Sequence, residues 1–151
     1  MRNLVVPALL LTIFSLPACG GSLPSGWEEA TRIDGLVQAE CAGDPYQGTH
    51  DERLEAAVGG GGIQVEYKEA HFRCEQEVEA FERRAGQSID LLVQPRDLTP
   101  KAVAGCDCLY DISFSLVDVA GETTLTLYRR WDDLNDPNEP VLIGSATLTV
   151  P

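Results

Sequence analysis

Residues 51–73, DERLEAAVGGGGIQVEYKEAHFR, carry the decision about the fold. The opening DERLEAAV suits a short helix capped by Asp51, because Leu, Glu and Ala are good helix formers. It also sets Leu54, Ala56 and Val58 in alternation, and Ile63, Val65 and Tyr67 alternate again beyond the run Gly59 to Gly62. Period-two alternation marks a strand with one buried face, and a glycine run between two such stretches makes a hairpin loop. The hairpin is the preferred reading, with residues 63–73 as one long strand. A phosphate cradle is the other use of a glycine run, but no Lys followed by Ser or Thr comes after this one.

Downstream, residues 77–84 (EVEAFERR) fit either a short helix or a strand. The turn-like Ala85-Gly86-Gln87-Ser88 and the strand pattern IDLLVQ that follows, ended by Pro95, favour a second hairpin. Three further strands are expected at residues 109–117 (LYDISFSLV), 123–130 (TTLTLYRR) and 141–150 (VLIGSATLTV), all dense in β-branched and aromatic residues. The first two are expected to meet through the short loop Ala120-Gly121-Glu122. Upstream, residues 31–41 (TRIDGLVQAEC) suggest a strand made irregular by Gly35, and residues 44–50 (DPYQGTH) a loop. Strands separated by turns, with no strand–helix rhythm, predict a mostly β fold with little helix. The expected architecture is an antiparallel β-sandwich or barrel of about six to eight strands.

The N-terminus has a different character. Met1-Arg2-Asn3 carries one positive charge, and the apolar run LVVPALLLTIFSL at residues 4–16 follows it. That run is shorter than the roughly 20 residues of a permanent membrane helix and has the flanks of a signal peptide. Leu16-Pro17-Ala18-Cys19 resembles the lipobox of bacterial lipoproteins, with an aliphatic residue at minus three and a small one at minus one. Pro17 departs from the small or aliphatic residue more usual at that place. The resemblance implies a diacylglyceryl group on the Cys19 sulfur and cleavage just before it. Gly20 stands where an aspartate would retain such a protein in the inner membrane, so the resemblance implies outer-membrane sorting. The expected organisation is a signal peptide over residues 1–18, a lipidated cysteine and flexible tether over 19–30, and one β-rich domain over 31–151.

Four more cysteines follow: Cys41, Cys74, Cys106 and Cys108. An even number in an exported chain reads as two disulfides. Cys106 and Cys108 are separated by one residue, so a direct bridge would be strained, and each is expected to pair with Cys41 or Cys74. The alternative is zinc: His71, Cys74, Cys106 and Cys108 offer one nitrogen and three sulfurs, enough for a tetrahedral site. That reading leaves Cys41 over. A second metal alternative is calcium, held by the oxygen-rich loop Asp132, Asp133, Asn135, Asp136, Asn138 and Glu139. Its order does not match an EF-hand, and Asp, Asn and Pro are also ordinary turn residues. Trp131 and Tyr128 beside it could form an aromatic lip or sit against the edge of the sandwich.

The formal net charge is -13, from 24 acidic and 11 basic residues. Such a surface repels polyanions, so a nucleic-acid partner is not expected. Only two histidines are present, His50 and His71, and neither lies near a promising serine or cysteine. A nucleophile–base pair is therefore hard to assemble, although carboxylate pairs suited to glycoside hydrolysis abound. The expected role is a binding or structural module, with no catalytic residues and no resident cofactor. It would be held to the membrane by its lipid anchor and face an envelope partner the sequence does not identify. A calcium- or zinc-binding protein and a small hydrolase are the alternatives.

Overall fold

The computed structural model describes residues 23–98, 105–131 and 139–151, which contain nine strands. The strands are β1 (Thr31–Arg32), β2 (Val37–Gln38), β3 (Arg53–Gly59), β4 (Gly62–Arg73), β5 (Val78–Ala85), β6 (Ser88–Pro95), β7 (Asp107–Val117), β8 (Gly121–Arg129) and β9 (Val141–Val150). They form a β-sandwich: a five-stranded sheet in the order β1-β5-β6-β8-β9 and a four-stranded sheet in the order β2-β7-β4-β3. The lipobox and Cys19 lie outside the described residues. So does the calcium-loop candidate, apart from the exposed Glu139.

Residues 51–73 form the expected hairpin: Arg53 to Gly59 pairs antiparallel with Gly62 to Lys68. Gly60 and Gly61 both take positive φ (63° and 83°), as a two-residue turn between right-twisted strands requires. The 77–84 stretch gives strand rather than helix, as β5 over Val78–Ala85, and β5 and β6 make the second hairpin. The inward faces then meet in one core. Ile63, Val65, Tyr67 and Phe72 of β4 pack with Tyr110, Ile112, Phe114 and Leu116 of β7, Leu91 and Val93 of β6, and Leu125 and Leu127 of β8.

One irregularity sets the phase of β4. Tyr67 pairs with Ile112 but Ala70 pairs with Tyr110, so β4 carries one residue more than β7 across this step. The extra residue is accommodated with Glu69 in the left-handed region at φ 53°. The odd-numbered inward series Ile63, Val65, Tyr67 therefore gives way to the even-numbered Ala70 and Phe72, and His71 turns away from the core.

Three expectations need correction. The segment between β7 and β8 is not a hairpin loop, since β7 belongs to the four-stranded sheet and β8 to the other. Asp118 (φ 56°) and Gly121 (φ 79°) bend the chain across the sandwich, and both edges of β7 are already occupied by β2 and β4. As a result β8 runs parallel to β6, so the sheets are not purely antiparallel. A parallel pair needs a crossover, and here β7 in the opposite sheet serves as that crossover. Residues 31–41 hold two short strands, one in each sheet, with Gly35 (φ 73°) between them. Finally, residues 23–30 are not loose tether. Trp27 is 4% exposed and packs on Phe81 and Leu92 with Leu23, Ala30 and Tyr128, on the outer face of the five-stranded sheet. The packed unit thus begins before residue 31.

Two disulfides staple this arrangement, Cys41–Cys108 and Cys74–Cys106. The zinc alternative is overturned, because sulfurs oxidised to disulfides are no longer the thiolates a zinc site needs. Cys74–Cys106 ties the exit of β4 to the entry of β7, where Cys74 N also donates to Cys106 O at 2.9 Å. Cys41–Cys108 fastens the 41–52 segment to the core, for the Cys108 side chain is fully buried.

Two stability predictions follow from this packing. The Cys41–Cys108 bridge spans 67 residues, for which the loss of unfolded-state entropy comes to about 4 kcal/mol, with 2–4 kcal/mol typical in practice. Replacing both residues by alanine lowers the unfolding free energy by about 2–4 kcal/mol in a denaturant titration. At Gly62, an added Cβ runs into the Leu116 carbonyl, whereas at Gly105 it meets nothing within 4 Å. Gly62→Ala is expected to cost about 1–3 kcal/mol while Gly105→Ala leaves the midpoint unchanged. Equal midpoints for the two would contradict the β4–β7 pairing at this point.

Candidate functional site

Because the β4 irregularity turns His71 outward, its ring meets groups from several elements at one end of the sandwich. Its Nε2 lies 3.3 Å from Asp107 Oδ2, off the line of a good hydrogen bond. The same carboxylate oxygen accepts from the Tyr46 hydroxyl at 2.6 Å. The imidazole also makes edge-to-face contacts with Trp131 at 4.6 Å, Tyr46 at 5.8 Å and His50 at 5.9 Å between ring centroids. Arrangements of this kind contribute roughly 0.5–1.5 kcal/mol each beyond the area they bury. Four rings thus form one rim, in which Tyr46 is 75% exposed.

Behind the rim, side chains take over from a strand. The β3–β4 pairing ends at Arg53 and Lys68, so His71 has no backbone partner on that side. The Glu52 carboxylate accepts from His71 N at 2.8 Å, and Arg129 Nη1 donates to His71 O at 3.2 Å. Glu52 and Arg129 also bind each other at 2.9 Å, both largely buried. The Arg129 guanidinium lies 5.1 Å from the Trp131 ring centroid, a cation–π contact. Beneath them sits the fully buried Tyr67, whose hydroxyl makes no hydrogen bond of good geometry. Burial first, and the Glu52 charge second, hold it well above the ordinary phenol value, so it stays neutral.

His71 is pushed the other way. Burial is the largest cause lowering it from 6.5, and the Arg129 charge adds to this, while Asp107 and Glu52 oppose. Tyr46 is raised, chiefly by its hydrogen bond to Asp107. At neutral pH the His71 imidazole and the Tyr46 phenol are therefore both neutral.

An open cleft of about 450 Å³ adjoins the rim through His50, lined also by Asp44, Gln47, Thr49, Glu69 and Asp111. Its carboxylates are already engaged. Asp44 Oδ1 accepts from Tyr46 N and Asp44 Oδ2 from Gln47 Nε2. Glu69 accepts from Asp51 N at 2.7 Å and Arg53 at 3.3 Å, and Asp111 from Lys68 at 3.0 Å and Glu69 N at 3.2 Å. These bonds hold both Glu69 and Asp111 below the ordinary carboxylate value. Among the described residues no group of three or more His, Cys, Asp and Glu converges as a metal site.

Of the residues singled out by sequence, His71 is central here, but with Asp107, Tyr46 and Trp131 rather than with sulfurs. Trp131 and Tyr128 do not form a joint lip: Trp131 packs on His71, and Tyr128 packs on Trp27 at 5.7 Å on the outer face of the five-stranded sheet. Glu52, Arg129 and Tyr67 were not anticipated. Each looks ordinary in its own stretch, and only the two-sheet topology brings them together. Comparison with protein families, with curated proteins and with solved structures finds no match to this chain.

The His71 environment predicts a pH dependence. The folded state favours neutral imidazole, whereas the unfolded chain takes up a proton near 6.5. Stability is therefore full above 6.5 and falls as the pH drops below it, where unfolding gains a proton. Between 6.5 and the ordinary carboxylate value of 4.5, the melting temperature of the wild type should decline. That of His71→Gln should be flatter over the same interval. Parallel slopes for the two proteins would assign the effect elsewhere.

Proposed function

We propose that this chain is a lipid-anchored lipoprotein of the bacterial cell envelope, sorted to the outer membrane, whose β-sandwich works as a binding module. The observation that carries the anchor is Leu16-Pro17-Ala18-Cys19 behind one basic residue and a short apolar run. Two disulfides support an oxidising compartment, where such bridges form and persist. Burying acyl chains contributes about 0.8 kcal/mol per CH2, so a multiply acylated Cys19 holds a small domain stably at a bilayer.

Binding is favoured over chemistry by the character of the rim. A hydrolase of the nucleophilic kind places a hydroxyl or thiol against its imidazole. Among the described residues, the side chains that meet the His71 imidazole are a carboxylate, a phenol, an indole and a second imidazole. Clustered rings backed by a buried Arg–Glu pair form a rigid contact surface, of the composition that dominates recognition sites. The partner faced by Tyr46, His50, His71 and Trp131 is an envelope component, and the charge of -13 weighs against nucleic acid.

The test is Cys19→Ala in the expressing cell. The variant should leave the membrane fraction and lose the mass of the lipid. A variant that stays membrane-bound and still incorporates labelled fatty acid would sink the anchor assignment.

A further inference from the structure

The outer face of the five-stranded sheet carries one continuous cross-strand row. Phe81 pairs with Leu92, Leu92 with Tyr128, and Tyr128 with Leu142. The N-terminal segment covers three members of this row. Trp27 packs on Phe81 and Leu92 and meets Tyr128 edge-on at 5.7 Å. The segment is pinned in place: Arg83 stacks over the indole at 4.7 Å and donates to Gly26 O, and Trp27 N donates to Pro24 O at 3.0 Å. The fourth member is bare. Leu142 is 60% exposed.

The segment covering the row also leads to Cys19. Leu23, packed in this cluster, lies four residue steps from the cysteine, with three residues between them, a reach of at most about 14 Å when fully extended. Paired strands lie roughly 4.8 Å apart, so Leu142 sits about 10 Å across the sheet from Leu92. A lipid on Cys19 therefore confines this face to the neighbourhood of the headgroups.

Resting on the lipoprotein reading, the geometry points to a lipid surface as the occupant of the uncovered end of the row. Leu142 seats in the apolar margin of the bilayer that holds the anchor, and the sandwich lies with the Trp27 face toward the membrane. The contact is apolar rather than Coulombic. The chain carries a charge of -13, and Glu28 and Glu29, beside Trp27, are exposed, so anionic lipid adds nothing to it. Neutral phosphatidylcholine suffices, and added salt does not release it.

The experiment uses the full lipidated chain in phosphatidylcholine vesicles, with an environment-sensitive fluorophore on Leu142→Cys. Val117→Cys is the reference, since Val117 is 60% exposed but belongs to the other sheet. The expected result is a blue-shifted emission at position 142, quenched by a nitroxide on the lipid chain. Position 117 should stay open to aqueous iodide. Aqueous behaviour at both positions on vesicle-bound, lipid-bearing protein overturns the docking and leaves the anchor standing. A label at 142 shielded from iodide but untouched by the lipid nitroxide assigns the surface to a protein contact, and also overturns it. A chain whose mass shows no lipid removes the lipoprotein reading and this inference together.

Discussion

The single extra residue in β4 is the constraint on which the molecule depends. A sandwich strand must send alternate side chains into the core, and a shift of one residue exchanges its two faces. The run Ile63, Val65, Tyr67 would continue at Glu69 and His71, putting a carboxylate and an imidazole between the sheets. Glu69, held at φ 53°, absorbs the extra residue, so that Ala70 and Phe72 enter the core instead. Asp111 helps fix the irregularity by accepting from Glu69 N and from Lys68. The same step frees His71 to meet Asp107, Tyr46 and Trp131. The rim of the candidate site is in this sense a by-product of keeping the core apolar.

The disulfides and the docked N-terminal segment act on the parts of the chain that strand pairing holds least. β1 and β2 are two residues each, too short to fasten the first thirty described residues by hydrogen bonds alone. Trp27 anchors one end of this region to the five-stranded sheet, and Cys41–Cys108 fastens the other to the four-stranded one. Between these points the chain crosses from sheet to sheet at Gly35. The 41–52 segment, which supplies Tyr46, His50 and Glu52 to the site, is thereby tied at Cys41 and at the start of β3.

Strand positions were legible in the sequence because the alternating patterns are strong: the hairpins at 53–68 and 78–95 follow directly from alternation and glycine placement. Pairing with distant partners was legible for the cysteines too, since Cys106 and Cys108 stand too close to bridge each other. Strand neighbours were not. A three-residue link such as 118–120 serves a hairpin within one sheet or an arch between two, and alternation reads the same either way, since both strands present one apolar face. What decided the matter was the competition for the edges of β7, a long-range property absent from any local window. The parallel β6–β8 pair follows from that one choice. Site residues were hidden for the same reason: Glu52 and Arg129 lie 77 positions apart in the chain and meet at 2.9 Å.

Charge at the rim is largely used up by internal partners. Arg129 is committed to Glu52, to the His71 carbonyl and to the Trp131 face, and Asp107 accepts from Tyr46. His71 is held neutral by burial, and the carboxylates of the neighbouring cleft have internal partners. On the proposed binding role, the rim therefore offers ring faces and already oriented polar atoms rather than free charge. The acidic surface of the whole chain, in contrast, acts over a Debye length of about 8 Å at physiological salt. Long-range attraction and close recognition are thus divided between different parts of the molecule. On the proposed binding role, the net charge biases which partners approach, and the fit against Tyr46 and Trp131 decides which of them remain.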